Sequence, residues 1–97
     1  VLECVPAALA SKITQELTTM ATIGIGAGNG CDGQVLVCND LLGVSDGFCP
    51  KFVKRYADIH SITVNAVKSY INEVKDRSFP APEHTFKIDD TVLEKLY

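Results

Sequence analysis

Val1-Leu2-Glu3-Cys4-Val5-Pro6-Ala7-Ala8-Leu9-Ala10 is the stretch from which the architecture is read. A short β-prone run, Val1 to Cys4, meets Pro6 almost at once. Proline is favoured at the first helical position because its missing N–H would be unpaired there anyway. Behind it, Leu9, Ile13 and Leu17 recur every four residues, so the spacing predicts a helix over 6–18. A strand feeding a helix is the elementary unit of an α/β fold.

Further along, Thr22-Ile23-Gly24-Ile25-Gly26 reads as a second strand, buried on both faces or nearly so. Its glycines mark close backbone approach or a bend. Gln34-Val35-Leu36-Val37-Cys38 is a third apolar run of strand length, and Asn39 to Cys49, with Gly43 and Gly47, reads as a loop ended by Pro50. Only Ala27 to Gly33 separate the second and third runs, whereas parallel neighbours usually need a dozen or more linking residues. Asn29-Gly30 also suits an antiparallel hairpin with an oversized loop. Alternatively, Gln34 to Leu42 is a helix C-capped by Gly43. Local physics leaves these readings open.

Residues 51–77 carry the longest periodic pattern. Phe52, Tyr56, Ile59, Thr63, Val67, Tyr70 and Val74 form one helical stripe. A helix of that length would run about 40 Å, which predicts packing beyond its own chain. Ser78 to Glu83, with Pro80 and Pro82, reads as extended, and a short terminal helix is expected from near Asp90.

The chain has 97 residues, 46% hydrophobic and 22% charged, ordinary globular composition that excludes a disordered tail. No apolar run reaches the roughly 18 residues of a membrane span. The start has neither an initiator Met nor the basic n-region of a signal peptide, and reads as a chain entered partway. Net charge is −3; residues 1–49 hold five acids and one base, residues 50–97 eight bases and seven acids. Neither half supplies the dense Lys/Arg face that nucleic-acid binding requires, and Lys51, Lys54 and Arg55 read as the solvated side of a helix. Cys4, Cys31, Cys38 and Cys49 lack zinc-ligand spacing. Cys4 and Cys38 sit in apolar runs as small buried hydrophobes, and reduced cysteines point to an intracellular protein.

Among candidate site residues, Glu3 stands out. An ionised carboxylate between Leu2 and Cys4 is costly if buried unpaired, and burial would raise its pKa toward the range of a general base. The alternative is a strand-end acid facing solvent. Position favours the first reading, because chemistry in α/β sheets and barrels sits where strands lead into helices. Gly24, Gly26, Gly28 and Gly30 match neither a Walker loop nor a dinucleotide fingerprint and read as a tight loop that floors a pocket. Asp32, Asn39, Asp40 and Asp46 read as turn or cap residues. His60 reads as a helix-surface residue, and His84 as a tail-anchoring hydrogen-bond partner.

Glu3-Cys4-Val5-Pro6, Ile23-Gly24-Ile25-Gly26-Ala27-Gly28, Asp32-Gly33-Gln34-Val35-Leu36-Val37 and Asp40-Leu41-Leu42-Gly43 follow one another in that order. Pro50-Lys51-Phe52-Val53-Lys54-Arg55-Tyr56-Ala57 and Phe79-Pro80-Ala81-Pro82-Glu83-His84 complete the set. Together they resemble ketopantoate hydroxymethyltransferase (3-methyl-2-oxobutanoate hydroxymethyltransferase) of pantothenate synthesis, up to about Ile88. Asn39, where the family often has His, and Ala81, where Gly is common, depart from its pattern.

The resemblance implies an α/β fold, the C-terminal part of a (β/α)₈ TIM barrel of the phosphoenolpyruvate/pyruvate type. Residues 1–88 would hold strands six to eight and their helices, and 89–97 a C-terminal tail. Strand six would end at Glu3, strand seven at Gly26 and strand eight near Val37, with helix seven reduced to a turn. It further implies one-carbon transfer from 5,10-methylenetetrahydrofolate to the keto acid 3-methyl-2-oxobutanoate, giving 2-dehydropantoate. Glu3 matches the proton acceptor, and Mg²⁺ acts as Lewis acid. The ligands of that Mg²⁺, with the substrate-holding Ser and Lys, belong to earlier strands outside this chain. The chain alone is therefore expected to be inactive without the N-terminal half. A homo-oligomer, commonly a decamer, and a cytoplasmic or mitochondrial location are also implied. The competing expectation is a free-standing half-barrel that binds or oligomerises without catalysis, because exposed strand edges need cover.

Overall fold

The computed structural model describes residues 1–96. The chain divides into two compact units, Val1–Ile62 and Thr63–Tyr97. In the first, three short strands, β1 (Leu2–Glu3), β2 (Ile23–Ile25) and β3 (Gly33–Gln34), form a sheet in the order β1-β2-β3. Both pairings are parallel, with Leu2 beside Gly24, Glu3 beside Ile25, and Gly24 beside Gln34. Helix α1 (Ala7–Glu16) links β1 to β2. Pro6 stands one residue before the helix rather than in it, and its carbonyl accepts the Ala10 N–H at 3.0 Å.

The antiparallel hairpin does not form, and of the Gln34–Leu42 helix only Cys38–Leu41 does, followed as expected by Gly43 in the left-handed region (φ 61°). Residues 26–32 carry the chain back to a parallel β3 without a helix. A reciprocal clamp makes that short return possible. Asp32 accepts the backbone N–H and hydroxyl of Thr22 at 2.7 and 3.2 Å, while the Asp32 N–H donates to the Thr22 hydroxyl at 3.2 Å. The return also lies flat on α1, because a Cβ at Gly28 or Gly30 would fall within 2.6 Å of Ala7 or 2.7 Å of Ser11.

The third run divides in two. The Val35 N–H still donates to Gly24, at 3.0 Å, but Val37 then caps α2 (Cys38–Leu41). The long helix expected over 51–77 is α3 (Ile59–Asp76), eight residues later at its start. The segment before it is held instead by the end of α2: Tyr56, Ile59 and His60 N–H groups donate to the carbonyls of Leu41, Leu42 and Gly43 at 2.7, 3.1 and 2.9 Å. Donors and acceptors left over at two helix ends thereby satisfy each other. Asp58 then caps α3, accepting the Ser61 N–H at 3.0 Å. At 18 residues α3 spans about 27 Å.

One face of the sheet is covered and the other is not. Thr22, Gly24 and Ala10 are buried, and Thr14 of α1 shares a 2.7 Å hydroxyl contact with Thr22. By strand alternation, Ile23, Ile25 and Glu3 project from the opposite face, where Ile23 and Glu3 are exposed and Ile25 half-buried. The expectation that β2 is buried on both faces therefore fails within this chain. Among the described residues the only buried apolar side chains are Ala10 and Ala27, no large side chain is fully enclosed, and Phe48 is 92% exposed.

In the second unit, α3 ends with Arg77 in the left-handed region (φ 64°), and the Ser78 N–H reaches back to Glu73 at 3.0 Å. Phe79 packs edge-on against Tyr70 (5.8 Å) and tilted against His84 (5.0 Å). The predicted anchoring by His84 is present: its Nδ1 accepts the Ala81 N–H at 3.1 Å. Pro82–His84 forms a 3₁₀ turn where extended chain was expected. Helix α4 (Asp90–Leu93) begins as predicted, with Asp89 accepting the Thr91 N–H at 2.9 Å. The tail expected over 89–97 ends in Tyr97, which lies outside the described residues.

Candidate functional site

Glu3 is the last residue of β1, at the edge where the parallel strands end and the loops to the helices begin. It is exposed, so the neighbours Leu2 and Cys4 do not enclose it. Strand alternation is the reason: Leu2 projects from the opposite face, and Ile25 alone is registered beside the carboxylate. Immediately after it, Cys4 adopts φ 53°, and its N–H donates to the Ile25 carbonyl at 2.9 Å. The chain therefore leaves the strand direction at the residue following the acid.

An open cleft of about 740 Å³ lies at the same edge, its walls including Cys4, Pro6, Gly26, Gln34, Lys51 and Phe52. Glycine is required in its floor. Gly26 has φ 64°, and a Cβ there would sit 2.9 Å from the Phe52 ring. Gln34 is fixed by donating to the Gly28 carbonyl at 2.9 Å. The glycine-rich run thus serves close packing and a pocket floor, as the loop reading anticipated. Glu3 is not part of the cleft wall.

The other candidates are scattered. His60 faces Asp46 at 3.3 Å in a second, smaller cleft of about 420 Å³ near the start of α3. Asp32 is the clamp on Thr22, a role the turn reading only approximated. Asp40 lies in the first turn of α2. Lys51, Lys54 and Arg55 are not on a helix: Lys54 sits 4.8 Å from the Tyr56 ring centre, and Arg55 donates to the Gly47 carbonyl at 3.1 Å. Cys4 and Cys38, expected to be buried, are exposed, and all four thiols are free. Cys4 follows the end of β1 and Cys38 begins α2, so neither lies within a strand as the apolar runs suggested.

Sequence reasoning missed Asp58. Its carboxyl is held below its ordinary value of 3.8, first by the side-chain hydrogen bond from Ser61 and then by the Ser61 N–H. The Asp58-Ile59-His60-Ser61 spacing carries that signal, since an acid three residues ahead of a hydroxyl suits a helix start.

Among the described residues, no three His, Cys, Asp or Glu side chains come together to hold a metal ion. Among them, too, no helix is long and apolar enough to cross a membrane.

A parallel α/β sheet with an acid on its C-terminal edge belongs to the class of proteins that place chemistry where strands give way to loops. Within that class, the chain belongs to the ketopantoate hydroxymethyltransferase family, which matches residues 1–82. It is 59% identical over 97 residues to the 3-methyl-2-oxobutanoate hydroxymethyltransferase of Enterococcus faecalis, covering all of this chain and 35% of that relative. It is 55% identical to that of Clostridium novyi and 53% to that of Carboxydothermus hydrogenoformans, with the same coverage. The chain therefore spans about a third of the length of the curated relatives it matches.

Proposed function

We propose that this chain supplies the proton-accepting carboxylate, Glu3, to a 3-methyl-2-oxobutanoate hydroxymethyltransferase. In this reading residues 1–88 are the C-terminal portion of the family's TIM barrel, strands six to eight with their helices, and 89–97 a tail. The observation that carries it is the placement of Glu3: the final residue of a parallel strand, on the sheet face left uncovered.

Glu3 accepts the proton alpha to the keto group of 3-methyl-2-oxobutanoate. The electron pair of that C–H bond forms an enolate, whose carbon bonds to the methylene carbon of 5,10-methylenetetrahydrofolate. Both C–N bonds of that methylene carbon break, water supplies the new hydroxyl oxygen, and the C3 proton with the two from water ends on the two folate nitrogens and the hydroxyl, releasing tetrahydrofolate and 2-dehydropantoate. An exposed carboxylate is a poor base for a carbon-bound proton, because water stabilises its charge. The rest of the barrel is needed to exclude that water. The family resemblance implies Mg²⁺, but the residues of this chain do not fit it, since no cluster of ligating side chains forms. The metal is assigned to residues outside this chain.

Apolar exposure supports the same division of labour. Phe48, Val37, Val35 and Val44 are each exposed by 41% or more. Fully burying one such side chain contributes about 1.5–3 kcal/mol, and a whole domain is stable by only about 5–15 kcal/mol. A handful left in water therefore forfeits much of what a fold needs. Cover by the remaining two-thirds of the barrel, and by further copies in a homo-oligomer, supplies it. The setting is bacterial and cytoplasmic in this reading; the relatives are bacterial and lend no support to a mitochondrial one.

The test joins this segment to the remaining portion of the Enterococcus faecalis relative. The chimera is expected to turn over, and the 97 residues alone to be inactive. Turnover by the isolated chain, or an inactive but folded chimera, contradicts the proposal.

A further inference from the structure

We propose that the left-handed backbone of Cys4 is a positioning device that keeps the face above Glu3 clear; the inference rests on Glu3 being the proton acceptor. A non-glycine residue with positive φ is uncommon, because its Cβ crowds the backbone carbonyl. Such a conformation persists only where its surroundings over-determine it. Cys4 is fixed from both sides: its N–H continues the ladder to the Ile25 carbonyl at 2.9 Å, and Pro6 biases Val5 to extended backbone before α1 begins.

The consequence concerns Val5. In a continuing strand, residues two apart share a face, so an extended Cys4 would place Val5 directly ahead of Glu3 on the open face. The φ of 53° turns the chain aside instead. Val5 goes to the wall of the neighbouring cleft, with Cys4 and Pro6, and is half-buried there. The carboxylate thus ends its strand with nothing from β1 standing over it. Cys4 acts through its backbone and touches no reacting atom.

The experiment uses the intact chimera, comparing Cys4→Gly, which adopts positive φ freely, with Cys4→Val, which resists it. The readouts are kcat, KM for 3-methyl-2-oxobutanoate, and exchange of its C3 proton with D₂O. Cys4→Val is expected to lower exchange and kcat about tenfold or more with KM nearly unchanged. Cys4→Gly should stay within about threefold of the parent. Cys4→Val at the parental rate, or Cys4→Gly falling as far as Cys4→Val, overturns the inference. Should Cys4→Val not fold, the glycine variant decides alone: a rate within threefold supports the inference, and a greater loss overturns it. Glu3→Gln run alongside separates the two ideas. If it still exchanges, the underlying assignment has failed; if it is silent while Cys4→Val is unimpaired, only the positioning role has.

Discussion

Glu3 and Ile25 stand side by side in adjacent parallel strands, and the Ile25 carbonyl accepts the N–H of the residue that follows the acid. The backbone carrying the carboxylate is therefore anchored on the strand side and released on the helix side. Side-chain freedom remains, since the face it projects from is open. The carboxylate is thus held by its backbone on a face that this chain leaves open.

Gly26 is expected to tolerate no side chain. Its φ of 64° and the 2.9 Å approach of the Phe52 ring penalise Gly26→Ala twice. The substitution should destabilise the chimera by about 1–3 kcal/mol, read as a lower thermal midpoint. Adding Phe52→Ala should not restore the parent, because the backbone penalty stays. Full recovery would mean that crowding by the ring is the whole effect.

The clamp between Thr22 and Asp32 should be worth more than an ordinary turn contact. Hydrogen bonds to a charged group contribute about 1.5–3 kcal/mol, and Thr22 is only 4% exposed. Asp32→Ala is expected to lower the denaturation midpoint accordingly, whereas Asp46→Ala, at an exposed side chain, should have little effect. Equal effects would show that the short return between β2 and β3 does not depend on the clamp.

Acid should fray α3 from its start. The Asp58 carboxyl is held below 3.8 by the hydrogen bonds from Ser61. A lowered folded value means that the cap stabilises the helix above the unfolded value and is lost as pH falls through the folded one. Helical circular dichroism should therefore drop on acidification below about pH 4. Asp58→Ala should lower the signal at neutral pH and diminish that acid step. Asp89 and Asp76, held down in the same way by Thr91 and Ser78, leave a residual step in the variant.

The strand–helix unit from Leu2 to Glu16 was legible because its period and its proline are local signals. The parallel return through residues 26–32 was not, since Asp32 meets Thr22 ten residues away and glycine spacing cannot reveal its partner. The start of α3 was misplaced for a related reason. The apolar stripe runs on through Phe52 and Tyr56, but Tyr56 donates its N–H to Leu41, a tertiary bond that periodicity cannot register. At the site, Glu3 was legible as an acid in an apolar run. Its exposure was not, because alternation gives Leu2 and Glu3 opposite faces and nothing among the described residues of this chain covers the face of Glu3.

The decisive measurement is C3 proton exchange of 3-methyl-2-oxobutanoate in D₂O by the chimera carrying Glu3→Gln, with Mg²⁺ affinity measured on the same sample. Exchange is expected to fall by about 10²–10⁴-fold while Mg²⁺ affinity stays within about twofold. Exchange at the parental rate, or a parallel loss of exchange and Mg²⁺ binding, would contradict the assignment of Glu3 as the proton acceptor.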